Sequence, residues 1–301
     1  MTLLLTRSDV TTLLDLDRAL ELITTGFTSP AADVPGQRVR TDLPGPGTAT
    51  ALIPGLLPGI PAFTAKVNAK FPHATPALRG VICLHSLQTG ELLALLDSAS
   101  VTAWRTGLAA AVATHTLARP DASSIGFVGA GAQAQMTWTA LSHLRPWTTV
   151  VSTDTDPARS IGDPLPTAAA VADTADVVVL ATWSREPIID TGRPGQHFTT
   201  LGADEPGKIE LSRRLLETSR VIVDDPVLVA AAGALGNVGL DATAAAGTLS
   251  DVLRGSIPAH IDGGVSVYAP IGLPWQDLAL SWSLYQRALD TGAGLRIDLL
   301  A

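Results

Sequence analysis

The chain has 301 residues, 46% of them apolar and 16% charged, with a formal net charge of −8. That length buries a sizeable core and admits two domains, the composition excludes a disordered chain, and an acidic chain without a basic run argues against nucleic acid or an anionic membrane surface as partner. The one cysteine, Cys83, cannot form an internal disulfide. With no signal-peptide layout and no apolar stretch of about 20 residues, a cytoplasmic protein is expected.

Residues 1–28 read as a short strand followed by a helix. Asp9 is the candidate N-cap, and Leu13, Leu14, Leu16, Leu20 and Ile23 form the apolar face. Residues 29–61, rich in Pro and Gly, hold short extended pieces, among them 37–40, where strand period puts Arg38 and Arg40 on one face. Residues 62–71 alternate cleanly, with Thr64, Lys66, Asn68 and Lys70 on a polar face that is ordinarily solvated. Residues 80–96 read as a hairpin turning at Gln88-Thr89-Gly90. The helix expected over 100–118 is nearly all apolar yet carries Arg105. A buried guanidinium stays charged and needs an anion, either an internal one such as Asp97 or a bound carboxylate.

The stretch 124–154 organises the second half of the chain. An apolar strand at 125–128 breaks into Gly129-Ala130-Gly131-Ala132-Gln133-Ala134, and a second strand ends near Asp154, 25 residues after Gly129. This is the dinucleotide fingerprint in its Gly-x-Gly-x-x-Ala form: a tight turn, close approach of the backbone to a pyrophosphate, and a helix N-terminus facing the anion. An acid at the end of the second strand accepts from ribose hydroxyls and disfavours a 2′-phosphate, so NAD (NADH) is expected and NADP is not. The chain from 156 to 173 is too brief for a full helix and third strand, so the sheet is expected to be shortened at one edge. Strands at 176–182, 197–202 and 221–223 come after it, with a helix over 209–217. Asp204 lies just past a strand's carboxyl end, where ligands bind in open α/β sheets, although an Asp before a helix is as often a cap. Residues 229–247 read as helix and loop, 264–272 as strand and turn, and 276–289 as an amphipathic helix. No internal repeat, Ser-nucleophile elbow or metal-ligand spacing is found.

Several stretches together resemble the ornithine cyclodeaminase/mu-crystallin family: AlaLysValAsnAlaLysPhePro (65–72), the segment 89–107 ending AlaTrpArgThrGly, LeuAlaArgProAspAla (117–122), GlyAlaGlyAlaGlnAla (129–134), GlyAlaAspGluProGlyLysIleGluLeu (202–211) and IleGlyLeuProTrpGlnAspLeuAla (271–279). The resemblance implies an α/β protein. A Rossmann-type doubly wound parallel sheet over 119–263 binds NAD, and an α+β substrate-binding and dimerisation domain is made of 1–118 plus 264–301. It also implies hydride chemistry at the α-carbon of a small amino or imino acid, in a homodimer. By motif position, Arg38, Lys66 and Arg105 match the residues that hold the substrate carboxylate. Asp204, with Lys66, matches the catalytic pair. Gly129, Gly131, Gln133, Asp154 and Thr182 match the dinucleotide site, with Thr106, Ala132, Gly202 and Ile271 completing it.

Two departures bear on the reaction. Cyclodeaminases of the family carry a glutamate three residues before the proline matching Pro54, where this chain has Ala51. A loop hydroxyl near the nicotinamide is replaced by Pro270. The first favours a net redox enzyme, an amino-acid dehydrogenase or cyclic-imine (ketimine) reductase. The alternatives are an ornithine or lysine cyclodeaminase using NAD catalytically, and a nucleotide-binding protein without turnover.

Overall fold

Alternating side chains in the first hundred residues build a sheet with one buried face, and the Val-, Ile- and Leu-rich runs after residue 120 build a parallel sheet buried on both. The computed structural model describes residues 1–299 and 301 and divides into two compact units, Met1–Arg105 with Leu273–Ala301, and Thr106–Gly272.

The first unit runs β1 (Thr2–Leu5), α1 (Arg7–Leu13), α2 (Leu16–Thr28), β2 (Gln37–Asp42), β3 (Thr48–Gly55), β4 (Ala62–Lys70), β5 (Leu78–Ser86), β6 (Leu92–Asp97) and the first turns of α3 (Ser98–Leu117). The second runs from the rest of α3 through β7 (Ser124–Val128), α4 (Ala132–Leu144), β8 (Thr149–Thr153), β9 (Asp163–Pro164), α5 (Ala168–Thr174), β10 (Val177–Leu180) and β11 (His197–Thr200). It continues with α6 (Arg213–Glu217), β12 (Arg220–Val223), α7 (Pro226–Ala232), α8 (Ala234–Asn237), β13 (Ala245–Thr248), α9 (Leu249–Leu253) and β14 (Ser266–Tyr268). The chain then returns to the first unit as α10 (Pro274–Thr291) and β15 (Leu295–Ile297).

In the first unit the strand order is β15-β1-β6-β5-β4-β3-β2, and α10 packs on β3, β4 and β5. The single helix expected over the N-terminus is two. Asp15 caps the second, and Thr6, not Asp9, caps the first. Asp9 sits three residues on and accepts a hydrogen bond from the Thr6 backbone, completing a capping box. The polar face of β4 is the buried one: Thr64 and Lys66 are 1% exposed, while Val67 on the other face is 52% exposed. Helical partners from distant sequence invert the expected polarity, Ser98 donating to Asn68 and Asp277 pairing with Lys66.

The second unit holds an all-parallel sheet in the order β13-β12-β14-β11-β10-β7-β8-β9, the doubly wound arrangement expected. Its shortened edge takes a specific form: the third strand survives as two residues, β9, and no helix lies between it and β8. β14 pairs with both β11 and β12, and the second unit extends to Gly272, so residues 264–272 fall in this unit, where the first domain was expected. At the other boundary the division falls within α3, between Arg105 and Thr106, instead of after residue 118. The helix expected over 209–217 is confined to α6, because Ser212 caps it and Glu210 is used otherwise. Among the described residues no helix is long and apolar enough to cross a membrane.

Candidate functional site

The first unit gathers a buried charge cluster. Cross-strand register sets Arg38, Leu52, Lys66, Ile82 and Leu96 in one row, all on the same sheet face. Lys66 Nζ donates to Asp277 Oδ2 at 2.5 Å and to Thr102 Oγ1 at 3.4 Å. Arg105 reaches the same acid, Nε to Oδ1 at 3.6 Å, and its Nη1 donates to Gln276 Oε1 at 3.3 Å. The internal partner of Arg105 is therefore Asp277 on α10. Asp97, the neighbour in sequence, instead caps α3 through Ser100 N and Oγ. Burial, opposed by Asp277 and reinforced by Arg105 and Arg38, brings the Lys66 ammonium down to about 7. Two cations thus share one carboxylate in a dry setting, which leaves room for a second anion.

Ala51 pairs with Val39 and Val67, on the face opposite Lys66. A side chain at position 51 points away from the cluster, so its identity carries less weight than counting back from Pro54 implied. The β3 residue beside Lys66 is the buried Leu52, and the row through Lys66 contains no acid.

In the second unit the expected cofactor residues other than Thr106, which lies in α3, follow the carboxyl ends of the parallel strands. Gly129 ends β7 with φ +86°, and a Cβ there would lie 2.6 Å from Ala181 O, so only glycine fits the turn. A Cβ on Gly131 would meet nothing, and α4 begins at Ala132 without a side-chain cap, leaving its first N–H groups, that of Gln133 among them, available to an anion. Asp154 Oδ2 accepts from Ala130 N at 2.6 Å and its Oδ1 from Asp156 N at 2.8 Å, which fixes the carboxylate beside the glycine turn. These features fit a dinucleotide: an open glycine turn, free amide donors and an anchored acid. Thr106 Oγ1 is buried without a hydrogen-bond partner among the described residues.

Glu210 and Asp224 brace these strand ends, and neither stood out in the sequence. Glu210, fully buried, accepts from Thr182 N and Oγ1, Thr200 Oγ1 and Gly202 N at 2.6–2.8 Å, which ties the ends of β10 and β11 together. Asp224 accepts from the N–H groups of Ile271 and Gly272, holding the loop that contains Pro270. Burial pushes both carboxyl groups up, against the pull of these hydrogen bonds. Asp204 pairs with Lys208 at 3.0 Å, and that ammonium also stacks 4.4 Å from the Trp183 ring. Asp277, Gln276 and Glu210 lie within stretches that resemble the family, and that was their one sequence signal; Asp224 had none. Among the described residues no group of three His, Cys, Asp or Glu side chains could hold a metal ion.

Comparison with known proteins identifies the family and the fold. The chain is 29% identical over 242 residues to an alanine dehydrogenase of Archaeoglobus fulgidus, covering 74% of each. It is 32% identical over 219 residues to an L-lysine cyclodeaminase of Streptomyces rapamycinicus, covering 63% of this chain and 64% of that one. It is 27% identical over 271 residues to the ketimine reductase mu-crystallin of Mus musculus, covering 83% and 84%. Among solved structures, an archaeal alanine dehydrogenase dimer with bound NAD superposes over 99% of both chains with a TM-score of 0.89 at 25% identity. The model of the ornithine cyclodeaminase/mu-crystallin family matches residues 2–162 and 164–292, nearly the whole chain, and the protein belongs to that family.

Proposed function

We propose that this protein is an NAD(H)-dependent oxidoreductase acting at the α-carbon of a small amino or imino acid, as an amino-acid dehydrogenase or a cyclic-imine (ketimine) reductase. The observation that carries the reading is the buried Lys66–Arg105 pair sharing the single acid Asp277. Such a pair favours an incoming carboxylate, which arginine binds through two parallel donors. Arg38, in the same row, adds a third positive charge near Lys66. In this reading the first unit binds and orients substrate, and the second holds the dinucleotide.

Gly129, Gly131, Ala132 and Gln133 would receive the pyrophosphate, Asp154 the ribose hydroxyls, and Thr106, Thr182, Gly202 and Ile271 the remainder of the dinucleotide. When bound, the nicotinamide supplies or accepts a hydride at the substrate α-carbon. Pinning the carboxylate through Arg105 and Lys66 fixes which face of that carbon is presented, and orientation of this kind supplies much of the rate. Asp204 handles the substrate nitrogen, stabilising an iminium and taking or returning its proton. The alanine dehydrogenase and ketimine reductase relatives support net redox chemistry. So does the absence of an acid in the Lys66 row, since a diamino acid brings a second ammonium to neutralise. The lysine cyclodeaminase relative keeps the lyase reading open as the second one. The open apolar row Val39–Ala51–Val67–Val81, with Val39 58% exposed, supports docking of a second copy, in line with the dimeric alanine dehydrogenase structure.

The test follows NADH absorbance and released ammonia together across ornithine, lysine, alanine, pyruvate with ammonia, and cyclic imino acids. NADH consumed or formed in step with substrate supports net redox chemistry. Ammonia from ornithine or lysine at constant NADH overturns it in favour of cyclodeamination. Full activity in Arg105→Ala removes the carboxylate clamp.

A further inference from the structure

The acid shared by Lys66 and Arg105 comes from α10, 211 residues beyond Lys66. Its two oxygens are used differently. Oδ2 takes the ammonium at 2.5 Å, whereas Oδ1 lies 3.6 Å from Arg105 Nε and has no hydrogen-bond partner among the described residues. The preceding residue, Gln276, accepts from Arg105 Nη1, and its own Nε2 is buried without a partner among the described residues. Arg105 is thus held by α10 through Nη1, while its Nε, 3.6 Å from Asp277 Oδ1, is buried without a hydrogen-bond partner among the described residues.

Composition sharpens the point. Of the 20 Lys and Arg residues only Lys66, Lys70 and Lys208 are lysines. A chain that uses arginine almost everywhere keeps at position 66 the cation whose charge burial can tune.

We propose that Asp277 is a positioning residue for the substrate carboxylate: it holds Lys66 in its charged form and, with Gln276, fixes the orientation in which Arg105 meets the ligand. The proposal rests on reading Lys66 and Arg105 as that carboxylate's partners. The charged groups around Lys66 are Asp277 from α10, Arg105 from α3 and Arg38 from β2, and of these only Asp277 favours the ammonium. Burial and both arginines act the other way. Loss of the Asp277 charge therefore lets Lys66 shed its proton at a lower pH and frees Arg105 to rotate.

The experiment is a pH titration of the full chain labelled with [ε-13C]lysine. It gives three resonances, with Lys66 assigned from Lys66→Met. In the unsubstituted protein Lys66 titrates near neutrality. In Asp277→Asn its midpoint falls by at least one pH unit, and the KM for the amino or imino acid rises at least tenfold while the Kd for NADH is unchanged. A Lys66 midpoint or a KM that does not move in Asp277→Asn overturns the proposal. Should that variant fail to fold, Asp277→Glu carries the test. It keeps the charge and displaces it by one methylene, so the midpoint stays near neutrality and the KM rises, and an unchanged KM refutes positioning. The titration needs no turnover. A protein inert toward every substrate of the panel defeats the redox reading and leaves the Lys66 result interpretable.

Discussion

Raising the pH is the most informative perturbation of the substrate cluster. Lys66 holds its proton only to about 7, against 10.5 for a free lysine. If only the ammonium form receives the carboxylate, kcat/KM falls about tenfold per pH unit above neutrality, or roughly 100-fold by pH 9. On the proposed reading a second carboxylate sits beside Lys66 in the substrate complex, so the same limb in kcat moves to higher pH. Stability must run the opposite way. The folded value lies below the unfolded one, so between about 7 and 10.5 the unfolded chain binds more protons, and the contribution of this group to stability rises with pH. Below pH 7 the group costs the fold on the order of 5 kcal/mol. The assay is kcat/KM at saturating NADH from pH 5.5 to 9.5, beside urea midpoints of the free protein. Lys66→Arg, which cannot deprotonate, loses the alkaline limb. A flat profile from pH 6 to 9, or a limb that persists in Lys66→Arg, refutes the reasoning.

Asp154 should set the cofactor preference: NADH binds more tightly than NADPH, and Asp154→Ser narrows the gap at least tenfold in competition fluorescence, whereas tighter NADPH binding by the unsubstituted chain defeats the assignment. Gly129→Ala forces a side chain into φ +86° and against Ala181 O. Strain of about 1–2 kcal/mol for the backbone alone, plus the clash, should lower Tm and abolish NADH binding, and normal affinity would show that the turn does not carry the nucleotide. His197 is buried between Ser266 and Thr199, where desolvation first, then His260 and Arg145, lowers it from 6.5 to about 3. Its folded value is depressed, so its stabilisation is complete above pH 6.5 and declines as pH falls toward 3. A loss of about 2–3 kcal/mol by pH 4.5 should show in urea melts and be absent from His197→Asn.

Local chemistry was legible in the sequence, and long-range pairing was not. The glycine turn could be read because its requirements, a positive φ and an uncapped helix start, lie within six residues. The β11 loop with Asp204 and the loop held by Asp224 were found as motifs, but their braces were not, since a buried acid such as Glu210 looks like any helix surface glutamate. Lys66 is the clearest case. Alternation fixed which residues shared its face, yet period 2 is silent about which face is covered, and the covering acid sits on the last helix. The same limitation sent Arg105 toward Asp97, an acid already occupied as a cap. Position 51 shows a further limit: alignment by the downstream Pro and Lys names the residue there, but only strand register says where its side chain points.

The pairing of β15 with β1, and of Asp277 with Lys66, also fixes an order of events during synthesis. While the ribosome is still building the parallel sheet, the strand carrying Lys66 has neither its helix cover nor its counter-ion. Residues 106–272 carry their own sheet and can mature as the nascent chain emerges, whereas the first unit must wait for the final thirty or so residues. The last helix and strand therefore add the outer edge of the sheet, the cover over the lysine and its acid only at the end. Ribosome-stalled chains ending before Pro274 should bind NADH yet leave Lys66 open to amine-reactive reagents.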